Sequence, residues 1–276
     1  MTLKLLVALL VLCLPVVAQS DSVAVKRDIV YATYGAKSLR LDLYTPKGVA
    51  GAVIPGIIAV RGGGWRMGDK NGFAKIASAL AVRGFAVACI EYRVLPEFTI
   101  TNAVNDTKAA VRWMRAEGKQ YGIQTDSIGV IGGSAGGHLV ALLGTSHKAG
   151  GLEGDGGHAG VSSRVQAVVA MAPVVDFETF GAAQLFPGEP ELAKLLSPVT
   201  HLDKEAAPIL LLHSDGDQTV PIAQSNLMVA RYKQEGVSAA MDTVKGGTHA
   251  FWNSPQTAEW VIARSAVFFH SKLDRP

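Results

Sequence analysis

The segment with the sharpest chemical signal is Gly132-Gly133-Ser134-Ala135-Gly136. A serine hydroxyl becomes a useful nucleophile only when it is exposed and a base lies next to it. In a G-x-S-x-G sequence the serine occupies a tight turn between a strand and a helix, and small neighbours let these two elements come close. An apolar run precedes the turn at residues 127–131, and a helical pattern follows at residues 138–143. We therefore expect Ser134 to be a nucleophile, with the N–H of Ala135 available to an oxyanion.

A run of three glycines, Gly62, Gly63 and Gly64, follows the third predicted strand. Glycines at such a place let backbone N–H groups point into a site where negative charge develops. The alternative is a flexible turn between a strand and a helix. The position after the third strand favours the first interpretation.

Two later segments supply a candidate acid and a candidate base. A buried strand at residues 208–212 leads into an acidic loop in which Asp215 and Asp217 compete to orient a catalytic histidine. The alternative for either aspartate is a turn or cap before the helix expected from Pro221. A nucleophile, an acid and a base occur in the order Ser, Asp, His in this kind of site. His249 lies in a glycine-bounded loop after a strand, whereas His270 lies inside the last helical pattern, so we expect His249 to be the base.

Short apolar runs alternate with helical patterns along the rest of the chain. Buried strands that alternate with helices predict an α/β fold, with a mostly parallel central sheet and helices on both faces. The alternation of leucine with polar residues at 39–44 predicts a half-exposed edge strand in a hairpin with residues 29–34. The glycine-rich residues 149–163 predict a surface loop, and residues 177–204 predict a short helical excursion. The other strands are expected at residues 56–60, 85–92, 127–131, 165–171, 208–212 and 239–244, and helices at 71–82, 101–118 and 259–269.

Together these segments resemble the serine esterases of the α/β-hydrolase superfamily. The resemblance is strongest to hormone-sensitive-lipase-like esterases and to bacterial carbohydrate or feruloyl esterases of the BD-FAE type, and it runs from about residue 27 to 272. It depends on residues 62–65 (Gly-Gly-Gly-Trp), 91–93 (Glu-Tyr-Arg), 132–138 (Gly-Gly-Ser-Ala-Gly-Gly-His) and 217–221 (Asp-Gln-Thr-Val-Pro), with Asp106, Trp113 and His249.

The resemblance implies an α/β-hydrolase fold and ester hydrolysis through an acyl-enzyme, without a cofactor. In the family's Asp-x-x-Val-Pro pattern the catalytic acid is the first residue, which favours Asp217 over Asp215. The family's oxyanion donors correspond to Gly63 and Gly64 together with Ala135. The implied substrates are small-molecule or polysaccharide esters with acetyl or feruloyl groups, and a broad short-chain carboxylesterase is the alternative.

Three further residues near these motifs could line the substrate pocket or have a purely structural role. Trp65 and Tyr92 are candidates for the acyl or alcohol pocket, with core packing as the alternative. Asp106 is expected to be structural and to bond across to a neighbouring loop in the manner of the family.

One residue departs from the family pattern. Proteins of this kind usually have histidine before the three glycines, where its side chain helps to fix the loop, but this chain has Arg61. Arginine is longer and permanently charged. We therefore expect an altered loop or a nearby carboxylate partner, while the backbone N–H groups of the oxyanion site are retained.

The first 18 residues have the composition of a signal peptide. Lys4 is followed by an apolar run at residues 5–17, and Ala18 offers a small residue for cleavage. The run is shorter than the about 20 residues that span a bilayer. Export to a secreted or periplasmic location is therefore predicted, with no stable membrane anchor and a catalytic domain at residues 19–276. An uncleaved anchor is the alternative, and a lipid anchor at Cys13 is disfavoured because large residues precede it.

Composition and cysteine content exclude several other classes. The chain is 49% hydrophobic and 18% charged, which excludes a disordered protein. Its net charge is +3, and the basic residues are scattered, so no nucleic-acid partner is expected. Removal of the leader leaves only Cys89, which lies in an apolar run and is expected to be buried. No metal is predicted, because the spacing of the histidines does not fit a zinc site at His138, His147, His158 or His201.

Two other functions compete with the esterase interpretation. A serine peptidase of the prolyl-oligopeptidase type shares the catalytic fold, but such enzymes have a large N-terminal domain, and only about 30 mature residues precede the third strand here. A catalytically silent binding module would have lost a member of the Ser-Asp-His set, and all three are present.

Overall fold

One eight-stranded sheet organises the part of the chain that the computed structural model describes, which comprises residues 22–48, 51–67, 69–181 and 183–274. Its strand order is β1-β2-β4-β3-β5-β6-β7-β8, with β2 antiparallel to β1 and β4 and all other neighbours parallel. The strands are β1 Val23–Tyr34, β2 Lys37–Pro46, β3 Ile54–Val60, β4 Ala86–Ile90, β5 Ile123–Gly133, β6 Ala167–Met171, β7 Ile209–Ser214 and β8 Ala239–Val244.

Helices cover both faces of this sheet, as predicted. They are α1 Ala74–Val82, α2 Ile100–Glu117, α3 Ala135–Thr145, α4 Phe177–Phe180, α5 Pro190–Leu195, α6 Ala223–Gln234 and α7 Ala258–Leu273. Helices α1 and α7 pack on one face, and α2, α3 and α6 pack on the other. In β6, Val168 and Ala170 face one core while Ala167, Val169 and Met171 face the other. Strands buried on both sides are therefore continuously apolar, which is why their sequences lack alternation.

The prediction of a half-exposed edge strand at residues 39–44 was wrong. This segment lies in β2, which is bonded on both sides, and the edge strand on this side of the sheet is β1. Asp42 is buried despite its charge, because Arg27 Nη1 and Lys70 Nζ lie 2.9 and 3.4 Å from its carboxylate. The polar residue Asp42 between Leu41 and Leu43 therefore gave the alternation of an exposed face, although this aspartate is buried and neutralised.

The lone cysteine outside the predicted leader is buried, as expected. Cys89 lies in β4 and is 1% exposed. Burial, with a smaller effect of nearby Asp42, raises the pKa of its thiol well above the usual range. The thiol therefore stays protonated at neutral pH and is inert as a nucleophile.

The carboxyl ends of the parallel strands meet at one edge of the sheet, and the loops that follow them contain the candidate site residues. The glycine run follows β3, Ser134 follows β5, Asp217 follows β7 and His249 follows β8. In open α/β sheets this edge is where ligands bind. The topology thus brings together residues that are far apart in the sequence.

The two irregular regions agree with their predictions. Residues 177–204 form α4, α5 and short 3₁₀ segments, and the ring of Phe177 packs 5.4 Å from that of Trp65 at the same sheet edge. Residues 149–163 contain neither helix nor strand. Within that loop Glu153 pairs with the buried side chains of Lys108 and Arg112, at 2.7 and 3.2 Å.

Asp106 joins α2 to the segment after β4. Its fully buried carboxylate accepts hydrogen bonds from the backbone N–H of Arg93 at 2.7 Å and from Nη2 of the same residue at 2.7 Å. The guanidinium of Arg93 also lies 3.5 Å from the centre of the Tyr34 ring. Asp106 therefore compensates a buried cation and fixes the chain between β4 and α2.

We expect Asp106→Asn to lower the free energy of unfolding by about 3–5 kcal/mol, because it leaves the buried Arg93 cation without a counter-charge. Urea unfolding followed by circular dichroism measures this. Glu259→Gln is the matched control, since its partner Arg83 lies at the surface and such pairs contribute about 1 kcal/mol or less. Equal effects of the two substitutions would contradict a structural role for Asp106.

Candidate active site

Ser134 lies on a strained turn between β5 and α3. Its backbone angles are φ 57° and ψ −122°, which place a non-glycine residue in a region that L-residues rarely adopt. Its N–H donates to the carbonyl of Met171 at 2.8 Å, and its own carbonyl accepts from the N–H of His138 at 2.9 Å. Both bonds hold the turn, so the hydroxyl stays at the carboxyl end of the sheet.

The glycines around Ser134 are required by close packing of backbone on backbone. A Cβ at Gly136 would overlap the carbonyl oxygen of Val60, and one at Gly62 would overlap the carbonyl oxygen of Gly133. A Cβ at Gly132 would overlap the carbonyl oxygen of Gly136. Strand β3, strand β5 and the first turn of α3 can therefore meet only where side chains are missing.

Ser134, His249 and Asp217 form a continuous series of hydrogen bonds. His249 Nδ1 lies 2.6 Å from Oδ2 of Asp217, and its Nε2 lies 2.8 Å from Oγ of Ser134. An ionised carboxylate only accepts, so Nδ1–H donates to Asp217 and Nε2 is free to accept the serine proton. The side chain of Asp217 is fully buried, and its Oδ1 accepts the N–H groups of Thr219 and Val220 at 2.8 and 2.9 Å.

The two residues that competed with Asp217 and His249 lie elsewhere. Asp215 Oδ1 accepts the N–H of Gly246 at 2.6 Å, so it joins the loop after β7 to the loop after β8. His270 lies on the exposed part of α7, where Nδ1 is 2.9 Å from Asp274 Oδ2. Asp215 thus matches the turn interpretation, and His270 matches the helix-surface one.

Sequence reasoning missed His213, a fully buried residue beside Asp217. Its Nε2–H donates to the carbonyl of Val220 at 2.9 Å and lies 3.4 Å from Asp217 Oδ2, while Nδ1 accepts from the Ser225 hydroxyl at 2.7 Å. Burial lowers the pKa of His213, which keeps the ring neutral at neutral pH. Asp217 is therefore held between two imidazoles. A histidine that interrupts the leucines of β7, four residues before an aspartate, is the signal that could have found it.

The glycine loop after β3 faces the same cavity as Ser134. Gly63 and Gly64 both have positive φ, 137° and 59°, which favours glycine at these positions. Ala135 is buried and is the first residue of α3, where a backbone N–H has no acceptor within its own helix. The three predicted oxyanion donors thus flank Ser134 along the β3 loop and the start of α3.

Neither Trp65 nor Tyr92 lines this cavity. Both are buried, which agrees with core packing, the alternative to a role in the substrate pocket. Trp65 Nε1 donates to Nδ1 of His138 at 3.1 Å, and Nε2 of that histidine donates to the carbonyl of Leu196 at 2.8 Å. Burial lowers the pKa of His138 to about 4, so the ring is neutral and keeps both bonds. The hydroxyl of Tyr92 lies 2.9 Å from the carbonyl oxygen of Arg61. Both aromatic residues support the glycine loop on the side that faces away from the cavity.

The cavity beside Ser134 has a volume of about 310 Å³. One wall is Trp252, whose ring meets that of His249 edge-on with centroids 5.5 Å apart. Trp252 was also missed from the sequence, where its position three residues after His249 is the only hint. The cavity is lined by Arg61, Gly62, Gly63, Gly64, Gly72, Phe73, Ser134, Thr219, His249, Trp252 and Asn253.

Arg61 lines the cavity without the carboxylate partner that we expected. The expectation was an altered loop or a carboxylate partner, and among the described residues no Asp or Glu oxygen lies within 4.0 Å of its guanidinium, so the second of these two is not found. Its side chain runs along Gly72, where an added Cβ would overlap its Cδ and Nε atoms. Gly72, eleven residues further along the chain, rather than an acidic residue, accommodates the longer side chain.

Three further sequence predictions concern metals, membranes and the leader. Within the described ranges, no group of three or more His, Cys, Asp or Glu side chains is placed to hold a metal ion. No helix in the same ranges is long and apolar enough to cross a bilayer. The predicted signal peptide at residues 1–18 lies outside the described residues, so its cleavage stays a prediction.

Comparison with known proteins gives consistent matches. The BD-FAE family model matches residues 41–232. A probable carboxylic ester hydrolase of Mycobacterium tuberculosis, LipM, is 31% identical over 224 residues, which cover 75% of this chain and 51% of that protein. This chain spans about half the length of the curated relatives it matches.

Two solved structures match over most of their length. A truncated carbohydrate esterase from gut microbiota is 28% identical with a TM-score of 0.80, and the match covers 90% of this chain and 95% of that one. A thermophilic esterase of Thermogutta terrifontis, Est2, is 25% identical with a TM-score of 0.80, covering 92% and 93% of the two chains.

Proposed function

This chain belongs to the BD-FAE family and has an α/β-hydrolase fold, and we propose that it is an exported serine carboxylic-ester hydrolase with a catalytic domain at residues 19–276. The observation on which the proposal rests is the series of hydrogen bonds from Asp217 through His249 to Ser134. The similar proteins are named as esterases or carboxylic ester hydrolases, which supports the proposal. The apolar leader supports the export part of the proposal.

In the first half of the proposed reaction, Ser134 Oγ attacks the ester carbonyl carbon while Nε2 of His249 takes the hydroxyl proton. The carbonyl oxygen becomes an oxyanion, which accepts hydrogen bonds from the N–H groups of Gly63, Gly64 and Ala135. Asp217 holds the imidazole in the required tautomer and stabilises the imidazolium. His249 then returns the proton to the departing alkoxide, which leaves as an alcohol, and an acyl-Ser134 ester remains.

In the second half, a water molecule takes the place of the alcohol. His249 accepts a proton from that water as its oxygen attacks the acyl carbon, and the same oxyanion donors act again. Collapse of this intermediate breaks the bond to Oγ, and His249 gives the proton back to Ser134. The products are a carboxylic acid and the unchanged enzyme, so the cycle needs no cofactor.

The size of the cavity supports short acyl groups. At about 310 Å³ it lies at the lower end of the about 300–1,000 Å³ found for ligand sites. Phe73 and Trp252 give it two aromatic walls, which suits a small acyl or aromatic group. We therefore propose short-chain or carbohydrate-linked esters, acetyl or feruloyl, as substrates.

We expect kcat/KM for 4-nitrophenyl esters to be highest at acetate to butyrate and to fall for longer chains, because a long chain would extend beyond the cavity. Acetylated xylan, methyl ferulate and a prolyl 4-nitroanilide complete the panel. Turnover of the first or second supports the carbohydrate part of the proposal. Maximal activity on decanoate would contradict the short-chain assignment, and preference for the anilide would favour a peptidase.

We expect Asp217→Asn to lower kcat by roughly 10⁴-fold, because an amide cannot hold the imidazole tautomer that the reaction needs. Asp215→Asn is the matched control, since an asparagine Oδ1 can still accept from Gly246. It should leave kcat close to the wild-type value, because Asp215 is exposed and its carboxylate bonds to the loop after β8 rather than to His249. Initial rates on 4-nitrophenyl acetate, with circular dichroism as the check of folding, compare the two. The opposite order of effects would assign the acid to Asp215.

A further inference from the structure

Arg61 is the cavity residue for which the proposed reaction has no use. In the part of the chain that the structure describes, it is the only cavity-lining residue with a permanent charge. The other lining side chains are small, aromatic or neutral polar, apart from the titratable His249. A cation in such surroundings interacts with whatever ligand enters beside Ser134.

The guanidinium of Arg61 is not neutralised by the protein. Two buried cations have counter-charges, Arg93 with Asp106 at 2.7 Å and Lys108 with Glu153 at 2.7 Å. Arg61 has no such carboxylate and donates no side-chain hydrogen bond to any described residue. None of its nitrogens is fully buried without a partner. Since they have no partner in the described protein, they are accessible to water. Its hydrogen-bonding capacity is therefore available to a ligand.

The side chain of Arg61 is nevertheless held in place. Its Cδ and Nε occupy the space that a Cβ at residue 72 would need, so the stem lies against Gly72, which itself lines the cavity. Its backbone carbonyl accepts from the hydroxyl of Tyr92 at 2.9 Å. An arginine whose backbone and distal side-chain atoms are both held in this way loses little conformational freedom when it binds a ligand.

We propose that Arg61 selects ester substrates with a carboxylate near the reacting carbonyl, in the acid or the alcohol part, such as acylated units of an acidic polysaccharide. This inference rests on the proposed esterase function and names its substrate class. A guanidinium matches a carboxylate with two parallel hydrogen bonds. One cation in an otherwise neutral cavity balances one negative charge, which favours a carboxylate over a doubly charged phosphate.

Two matched substrate pairs test the proposal. The first pair is 4-acetoxybenzoate and its methyl ester, which differ in charge on the alcohol side. The second is mono-4-nitrophenyl glutarate and 4-nitrophenyl pentanoate, which differ on the acyl side. The measured quantity is the ratio of kcat/KM for the charged ester to that for the neutral ester, after subtraction of spontaneous hydrolysis.

We expect Arg61→Gln to lower this ratio by about tenfold in at least one pair, chiefly through KM of the charged ester, as for a charged hydrogen bond partly open to water. In the wild type, added salt should also lower the ratio. Arg66→Gln is the matched control, since Arg66 lies in the same loop and outside the cavity lining, and should leave the ratio unchanged. Arg61→His, assayed at pH 8, restores the usual residue of the family and should lower the ratio like Arg61→Gln.

An unchanged ratio in both pairs for both Arg61 variants would overturn the proposal. The neutral esters separate this failure from failure of the esterase function itself. If the wild type hydrolyses them and Ser134→Ala does not, the esterase function stands and only the role of Arg61 falls. If Ser134→Ala hydrolyses them as well as the wild type does, the proposed function is wrong.

Discussion

The structure depends on one steric constraint, which is the close approach of three backbone segments at the end of the central strands. Strand β3, strand β5 and the start of α3 meet so closely that Gly62, Gly132 and Gly136 have no space for a Cβ. This contact fixes Ser134 in a conformation with positive φ that costs about 1–3 kcal/mol. The apolar strands that are buried on both faces supply the stability that offsets this strain. The positions of the Ser134 hydroxyl and of the proposed oxyanion donors follow from the same contact.

Buried polar contacts hold the surrounding loops to this centre. His138, one turn into α3, binds Trp65 of the glycine loop on one side and the carbonyl of Leu196 on the other. His213 supports the loop of Asp217 in a similar way, from inside the sheet. In both cases burial lowers the pKa of the imidazole, so each ring stays neutral and keeps its bonds at neutral pH. These contacts pre-organise groups that the proposed reaction needs in fixed positions.

Local sequence patterns predicted much of the fold and pointed to residues that the structure brings together in the candidate site. The turn at Ser134 was predictable because its glycines and the flanking apolar run are consecutive in the chain. The choice between Asp215 and Asp217 needed either the family pattern or the observed bonds, since both follow β7 at nearly equal distance. The directions of Trp65 and Tyr92 were not predictable, because they depend on partners that are remote in sequence.

Tertiary partners also explain the wrong edge-strand prediction and the surroundings of Arg61. Asp42 is buried in β2 because Arg27 and Lys70, from other parts of the chain, neutralise it. Arg61 meets no carboxylate among the described residues, and its side chain lies against Gly72 instead. In both cases the sequence shows a charged residue but not whether another charge meets it. Charge pairing between distant segments is therefore the feature of this structure that local sequence patterns predict least well.

The proposed reaction requires Ser134 to be the nucleophile, activated by His249 within an assembled site. Reaction of the wild-type protein with a fluorophosphonate, followed by peptide mapping with mass spectrometry, tests it most directly. We expect one adduct per chain, on Ser134, formed in step with the loss of esterase activity and absent from Ser134→Ala. An adduct on another residue, or full activity in a chain whose Ser134 is modified, would contradict it. A folded chain that neither reacts nor hydrolyses esters would show instead a binding module.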